Sequence, residues 1–212
     1  MIVKTFEFSK INFSSNKFFL LYGENEGFKN EIIKKIEKNF SNKIFRYDER
    51  EILENSENFL NGILSKSLFE TEKLIIVNRA SDKIKTLIEE IMEKKVEDIT
   101  FILIAGLLDK KSKLRNLFEK NKKTICTAFY PDTHQTLNII TSNFFKNRNI
   151  SLSQEMINLI IDRSRGSRQN LNNELNKIDN YHQNNNKINL EVITKLTNLA
   201  ENYHVSEITD IC

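Results

Sequence analysis

Five short runs rich in β-branched and aromatic residues alternate with amphipathic stretches over the first two-thirds of the chain. They read "KFFLLY" (17–22), "KIFRY" (43–47), "KLIIVN" (73–78), "TFILIA" (100–105) and "TICTAF" (124–129). Between the first two, Phe28, Ile32, Ile33, Ile36 and Phe40 recur at helical spacing, with lysines and glutamates on the opposite face. Further helices are expected at about 56–66, 83–95 and 110–121. Strands apolar on both faces must be covered on both, and strands separated by helices pair in parallel. The pattern therefore predicts an α/β fold, a five-stranded parallel sheet flanked by helices. "LIIV" and "FILI" are expected in its centre.

The single proline, Pro131, follows the fifth run, and the strand pattern ends there. Helical patterns continue at 133–147, 153–163, 168–181 and 190–201, broken by "KNRNIS", "RSRGS" and "HQNNNK". We expect an α/β domain over 1–131 and a small helical domain over 132–202. "ENYHVSEITDIC" opens another apolar-periodic segment, so 203–212 is expected to begin a further domain. With 212 residues, 29% charged and 39% hydrophobic, the chain can bury one good core and a smaller second one. No apolar stretch approaches the ~20 residues that span a bilayer. The first ten residues show neither an apolar leader core nor a cleavage site, so no signal peptide is expected. Two cysteines, Cys126 and Cys212, make no disulfide framework and suit a reducing cytoplasm.

The turn after the first run, Gly23-Glu24-Asn25-Glu26-Gly27-Phe28-Lys29-Asn30, has the outline of a phosphate-binding loop. Such a loop needs G-x-x-x-x-G-K-[ST] between strand and helix: glycines let backbone N–H groups close on phosphates, the lysine reaches them, and the hydroxyl holds Mg²⁺. Gly23 and Lys29 stand at the required separation. Phe28 replaces the second glycine, and Asn30 replaces the hydroxyl, a poorer ligand for a hard cation. Glu24 and Glu26 put negative charge where a polyphosphate would lie, and Asn25 suits a helix N-cap. The third run ends in Asn78 and Arg79 rather than the acid that would position Mg²⁺. Gly23, Gly27 and Lys29 are thus expected to form a vestigial phosphate loop that binds nothing.

Other chemistry is sparse. His134, His182 and His204 have no partner at metal-ligand spacing, neither cysteine has a base nearby, and no metal or cofactor is expected. Glu89 and Glu90 lie on a lysine-rich helix face and are expected to be solvated. The basic residues of "RSRGSR" (163–168) could meet a phosphate at a helix start or form a solvated loop. A net charge of +3 permits contact with nucleic acid without arguing for it.

In order along the chain, "LLYGENEGFKNEIIKKI", "SLFETEKLIIVNRA", "FILIAGLLDKKSKLRNLFEK" and "GSRQNLNNELNKI" resemble the δ subunit of the bacterial DNA polymerase III clamp loader. The resemblance covers essentially the whole chain, and "HVSEITDI" is similar to the entry into that family's third, collar domain. It implies an AAA+-type α/β domain followed by a helical lid. It also implies a subunit without ATP hydrolysis of its own within the DNA polymerase III holoenzyme. Partners implied are the sliding clamp, the δ′ and γ/τ subunits and, in the assembled complex, DNA, with no membrane. In an active lid an arginine after the G-[DS]-x pattern senses nucleotide; by similarity Gln169 stands there, next to Arg168.

The resemblance further implies that a hydrophobic pair at the tip of the first domain enters a pocket on the clamp and favours an opened ring. The matching pair is Leu68-Phe69 in "KSLFETEK". Two adjacent large apolar side chains in a polar stretch can act as an anchor with a polar rim, each contributing ~1.5–3 kcal/mol when buried. Taken alone, the same pair could pack beneath the following strand. The alternatives are a nucleotide-dependent AAA+ ATPase or P-loop kinase with an atypical loop, and a DNA-binding adaptor, against which the weak net charge argues.

Overall fold

The computed structural model describes residues 1–11, 16–38, 40, 44–64, 73–94, 98–184 and 187–197. They divide into two compact units, one from Met1 to Tyr130 and one from Pro131 onward.

The first unit is a five-stranded sheet, β1 Phe18–Gly23, β2 Ile44–Asp48, β3 Lys73–Asn78, β4 Ile99–Ile104 and β5 Thr124–Phe129. All pairings are parallel and the order is β2-β3-β4-β1-β5. All six residues of β1 are buried, which is why that run is apolar at every position rather than at alternate ones. The two strands expected in the middle, β3 and β4, are interior. In β2, at the edge, no strand residue is fully buried.

The helices are α1 Glu26–Glu37, α2 Glu49–Glu54, α3 Ser56–Leu64, α4 Lys85–Glu93 and α5 Lys113–Lys120. On one face Phe18, Leu20, Ile75, Val77, Phe101 and Leu103 meet Leu60 of α3, Ile88 and Ile91 of α4 and Leu114 and Phe118 of α5. The register sets Phe18 opposite Phe101, and their rings stack at 5.3 Å. On the other face Phe19, Leu21, Ile76, Ile102 and Phe129 meet Ile32, Ile33 and Ile36 of α1. Each of those isoleucines contributes ~1.5–3 kcal/mol by burial, and their spacing is what made α1 legible.

Two elements were not anticipated. A 3₁₀ turn over Thr5–Lys10 carries Phe8 into the α1-side core together with Val3, and Ile2 bridges Cys126 on the outer side of β5. Helix α2 opens on a reciprocal box in which Asp48 and Glu51 each accept from the other's backbone N–H.

In the second unit, α6 His134–Lys146, α7 Gln154–Arg163, α8 Arg168–Gln183 and α9 Leu190–Leu196 surround Leu137, Phe145, Ile160, Ile161, Leu171, Leu175, Ile178 and Ile193. Thr133, Ser153, Ser167 and Asn189 cap these four helices, each side-chain oxygen accepting from the third helical N–H. Between α7 and α8 the backbone turns through Arg165 and Gly166, both at positive φ. Among the described residues no helix is long and apolar enough to cross a membrane.

Candidate functional site: the turn between β1 and α1

In a parallel sheet, ligands are held outside the carboxyl ends of the strands, where successive connections run in opposite directions. Here that place lies between β1 and β4, since β1 leads away toward β2 and β4 leads back toward β5. The pairing of β1 with β4 runs past the strand ends, as Ala105 N–H donates to Leu21 and Gly23 N–H donates to Gly106.

Lys29 closes the same place from above. Its side chain is fully buried, and its ammonium donates to the Gly23 carbonyl at 2.8 Å, the Ala105 carbonyl at 2.7 Å and the Glu26 carboxylate at 2.6 Å. A lysine has three N–H donors, so in this arrangement none is left for a phosphate oxygen. Glu26 is the exposed member of that pair. The sequence suggested that this acid would repel phosphate; its position three residues before Lys29 also makes it the lysine's counter-ion, a spacing that was legible.

The rest of the turn is also satisfied from within. Only Glu24 and Asn25 separate the strand from the helix, so Gly27 and Phe28 lie in the first turn of α1. Asn25 is the N-cap, accepting from Phe28 N–H at 3.0 Å and donating through its amide to the Tyr130 carbonyl at 3.0 Å. The Phe28 ring packs edge-on against Phe129. Gly23 has a φ of 120°, and a Cβ there would sit 2.3 Å from the Phe129 carbonyl oxygen. A glycine at this position is therefore required by the approach of β5, with no ligand involved.

At the end of β3, Asn78 donates to the Tyr47 carbonyl at 3.4 Å, and Arg79, at positive φ, pairs with Asp48, the cap of α2. Gly23, Gly27 and Lys29 thus come together in one turn. Leu68 and Phe69 lie outside the described residues.

In the second unit the basic stretch 163–168 resolves into two environments. Arg163 and Arg165 keep solvent contact, whereas Arg168 is buried, with two hydrogen bonds of 2.8 and 2.5 Å to Asp132. Arg168 is therefore an internal strut, neither phosphate-facing nor solvated, and Gln169 beside it is exposed. Glu89 and Glu90 pair with Lys85 and Lys94 one turn away. Among the described residues no group of three His, Cys, Asp or Glu side chains could hold a metal ion.

A five-stranded parallel sheet in this order, flanked by helices, is the AAA+-type α/β fold. No protein-family model and no curated protein matches the sequence. Solved structures do match. One is the Bacillus subtilis DNA clamp loader delta protein, at 15% identity and a TM-score of 0.58, over 91% of this chain and 61% of that one. Domain III of the Thermotoga maritima replication initiation protein DnaA matches at 13% identity and a TM-score of 0.51, over 91% and 87% of the two chains. The Thermotoga maritima RuvB Holliday junction branch migration motor matches at 14% and 0.55, over 86% and 61%. The chain spans about three-fifths of the clamp loader protein's length. At these identities the likeness is one of fold.

Proposed function

We propose that the chain is a non-catalytic AAA+-type subunit of a replication clamp loader, of the δ kind. It binds the sliding clamp through Leu68 and Phe69, favours the opened ring, and assembles with δ′ and ATP-hydrolysing γ/τ subunits. The observation that carries the non-catalytic part is the buried ammonium of Lys29, whose three hydrogens go to Gly23, Ala105 and Glu26. Its reach to a phosphate would require giving up at least one of these three bonds. Asn30 and Asn78, standing where a Mg²⁺ hydroxyl and an acid are needed, support the same reading. The clamp-binding part rests on the order of sequence blocks and on the likeness in fold to a clamp loader delta protein. Binding can open a ring only to the extent that the open form is bound more tightly than the closed one.

Clamp binding tests this directly. The 212-residue chain is titrated with the sliding clamp of its own organism, beside a Leu68→Ala/Phe69→Ala variant. The wild-type chain is expected to bind and the variant to lose affinity by roughly 100-fold, as removal of two anchor side chains predicts. Equal affinities would remove the anchor from the proposal.

The Gly23-to-Lys29 spacing favours one second reading, an ATPase or kinase with an atypical loop. Saturable ATP–Mg²⁺ binding that is abolished in a Lys29 variant still folded by circular dichroism would establish that reading instead.

A further inference from the structure

β2 is an edge strand. It pairs with β3 alone, and among the described residues no strand pairs with its outer side. A row of unpaired N–H and C=O groups on such an edge is a template for another extended chain. The two charges that could guard it are turned to partners within the fold, Arg46 to Glu37 and Asp48 to Arg79.

Beside this edge, on the face that α2 and α3 cover, lies a cavity of about 470 Å³. Its walls are Phe45 and Tyr47 of β2, Ile75 of β3, Ile52 of α2, and Phe59 and Ile63 of α3. The Tyr47 and Phe59 rings meet edge-on at 5.2 Å. Glu51, Asn55, Asn58 and Gly62 are exposed and form the mouth. A Cβ built on Gly62 would meet nothing within 4 Å, so the space before it is open. Side chains alternate along a strand, which sets Phe45 and Tyr47 on this face and Arg46 on the other. A strand added to the outer edge would therefore bring every second side chain beside Phe45 and Tyr47, against the cavity.

Charge selects the occupant. Residues 48–57, "DEREILENSE", carry five acids against Arg50, and Lys73 is the one base lining the cavity. Arg50 is taken up by Glu54. Glu51 at the mouth and Glu57 beside it pair with no cation among the described residues. Such a mouth repels phosphate and attracts lysine and arginine. We infer that β2 and the cavity beside it form a docking site for an extended basic segment of a partner protein, with apolar residues at alternate positions, added in β pairing to the sheet's edge. The inference stands apart from the clamp-loader reading and survives its failure.

The probe is a fluorescein-labelled peptide, Lys-Lys-Phe-Thr-Leu-Lys-Lys, titrated with the full chain and followed by anisotropy. Saturable binding is expected, and Glu-Glu-Phe-Thr-Leu-Glu-Glu should bind at least about tenfold more weakly. Successive N–H groups of a strand point to opposite sides, so N-methylation at threonine and at phenylalanine plus leucine should differ. One of the two should lose at least about tenfold and the other be tolerated. Gly62→Leu fills the mouth without costing helix propensity, and should weaken binding at least about tenfold. Glu51→Gln/Glu57→Gln keeps the side-chain shapes and should remove most of the salt dependence. Lys34→Leu on α1, across the sheet, should change nothing, and circular dichroism checks that each variant is folded. No saturable binding, equal affinity for the acidic peptide, or unchanged affinity in Gly62→Leu would overturn the inference. So would equally tight binding of phenylalanine amide, which would mark a small-molecule pocket. Tighter peptide binding by the Leu68→Ala/Phe69→Ala variant would overturn it by giving the cavity to the chain's own 65–72 segment. A dimer dissociated by Gly62→Leu would do so by giving it to a second copy.

Discussion

The ammonium of Lys29 donates a 2.7 Å hydrogen bond to the carbonyl of Ala105, a residue 76 positions further along the chain. With the bond to Gly23, it ties the ends of β1 and β4 together at the switch point, outside which parallel sheets hold their ligands. A residue at a catalytic spacing thus has a structural task, and the two tasks make different demands on a variant.

Lys29→Met should therefore unfold more readily in urea, by about 2–4 kcal/mol, because two buried carbonyls and a carboxylate lose their donor. Lys29→Arg should fail to restore stability, since a planar fork cannot point at the same three acceptors. A Lys29→Met chain as stable as the wild type would show that the amine bears no structural load.

Asp132 and Arg168 form a second internal tie, each with 6% of its side chain exposed. Removing one partner leaves the other's charge buried, so Asp132→Ala should cost about 3–5 kcal/mol in the helical unit. The double change Asp132→Ala/Arg168→Met should cost less than the single one. A double-mutant cycle followed by helix signal in urea measures the coupling, and strictly additive losses would refute it.

Asp82 links two turns by accepting from the Ser112 hydroxyl at 2.6 Å and from Leu114 N–H at 2.9 Å. The Ser112 bond is the larger cause of a carboxyl held below the usual aspartate range, with the Leu114 N–H next, while desolvation opposes them. A lowered folded-state value means that this contribution is fully present above the ordinary aspartate pKa of about 3.9 and is lost as pH falls through the folded value. Asp82→Asn should therefore flatten the acid limb of the stability curve and leave its shape near neutrality unchanged. Denaturation midpoints taken across the acid range decide this.

Burial pushes the Cys126 thiol up to about 12, and its side chain is closed off within β5. In a Cys212→Ser background, Ellman's reagent should react with the folded chain only at the rate of unfolding, and rapidly in denaturant. Fast reaction of the native chain at neutral pH would contradict the burial.

The strands were legible because each is an apolar run bounded by polar residues, and α1 because Ile32, Ile33 and Ile36 share one face. Asn25 could be read as a cap from its type and place. By contrast, Val3 and Phe8 follow no period of 2 or 3.6. Their place against β5 rests on contacts more than a hundred residues distant in sequence. Helix α2 has a single buried isoleucine, Ile52, so it shows no apolar period, and its one sequence signal is the Asp48-to-Glu51 box. At the candidate site the residue types were readable and their use was not. Nothing local to "GENEGFKN" reveals that Ala105 supplies an acceptor, nor does "RSRGSR" reveal that Asp132 takes up Arg168.

The strand order has a consequence for how the molecule is made. β1 leaves the ribosome first, yet its two neighbours are the last strands to be synthesised, β4 and β5. Until Ile104 has emerged, β1 has no partner on either edge, and until Phe129 follows it is paired on one edge alone. Pairing over such separations is slow, and exposed strand edges invite association with other chains. A nascent chain of this protein therefore carries an unpaired "FFLLY" until β4 has been made, and that stretch is where a holding chaperone would be expected to bind.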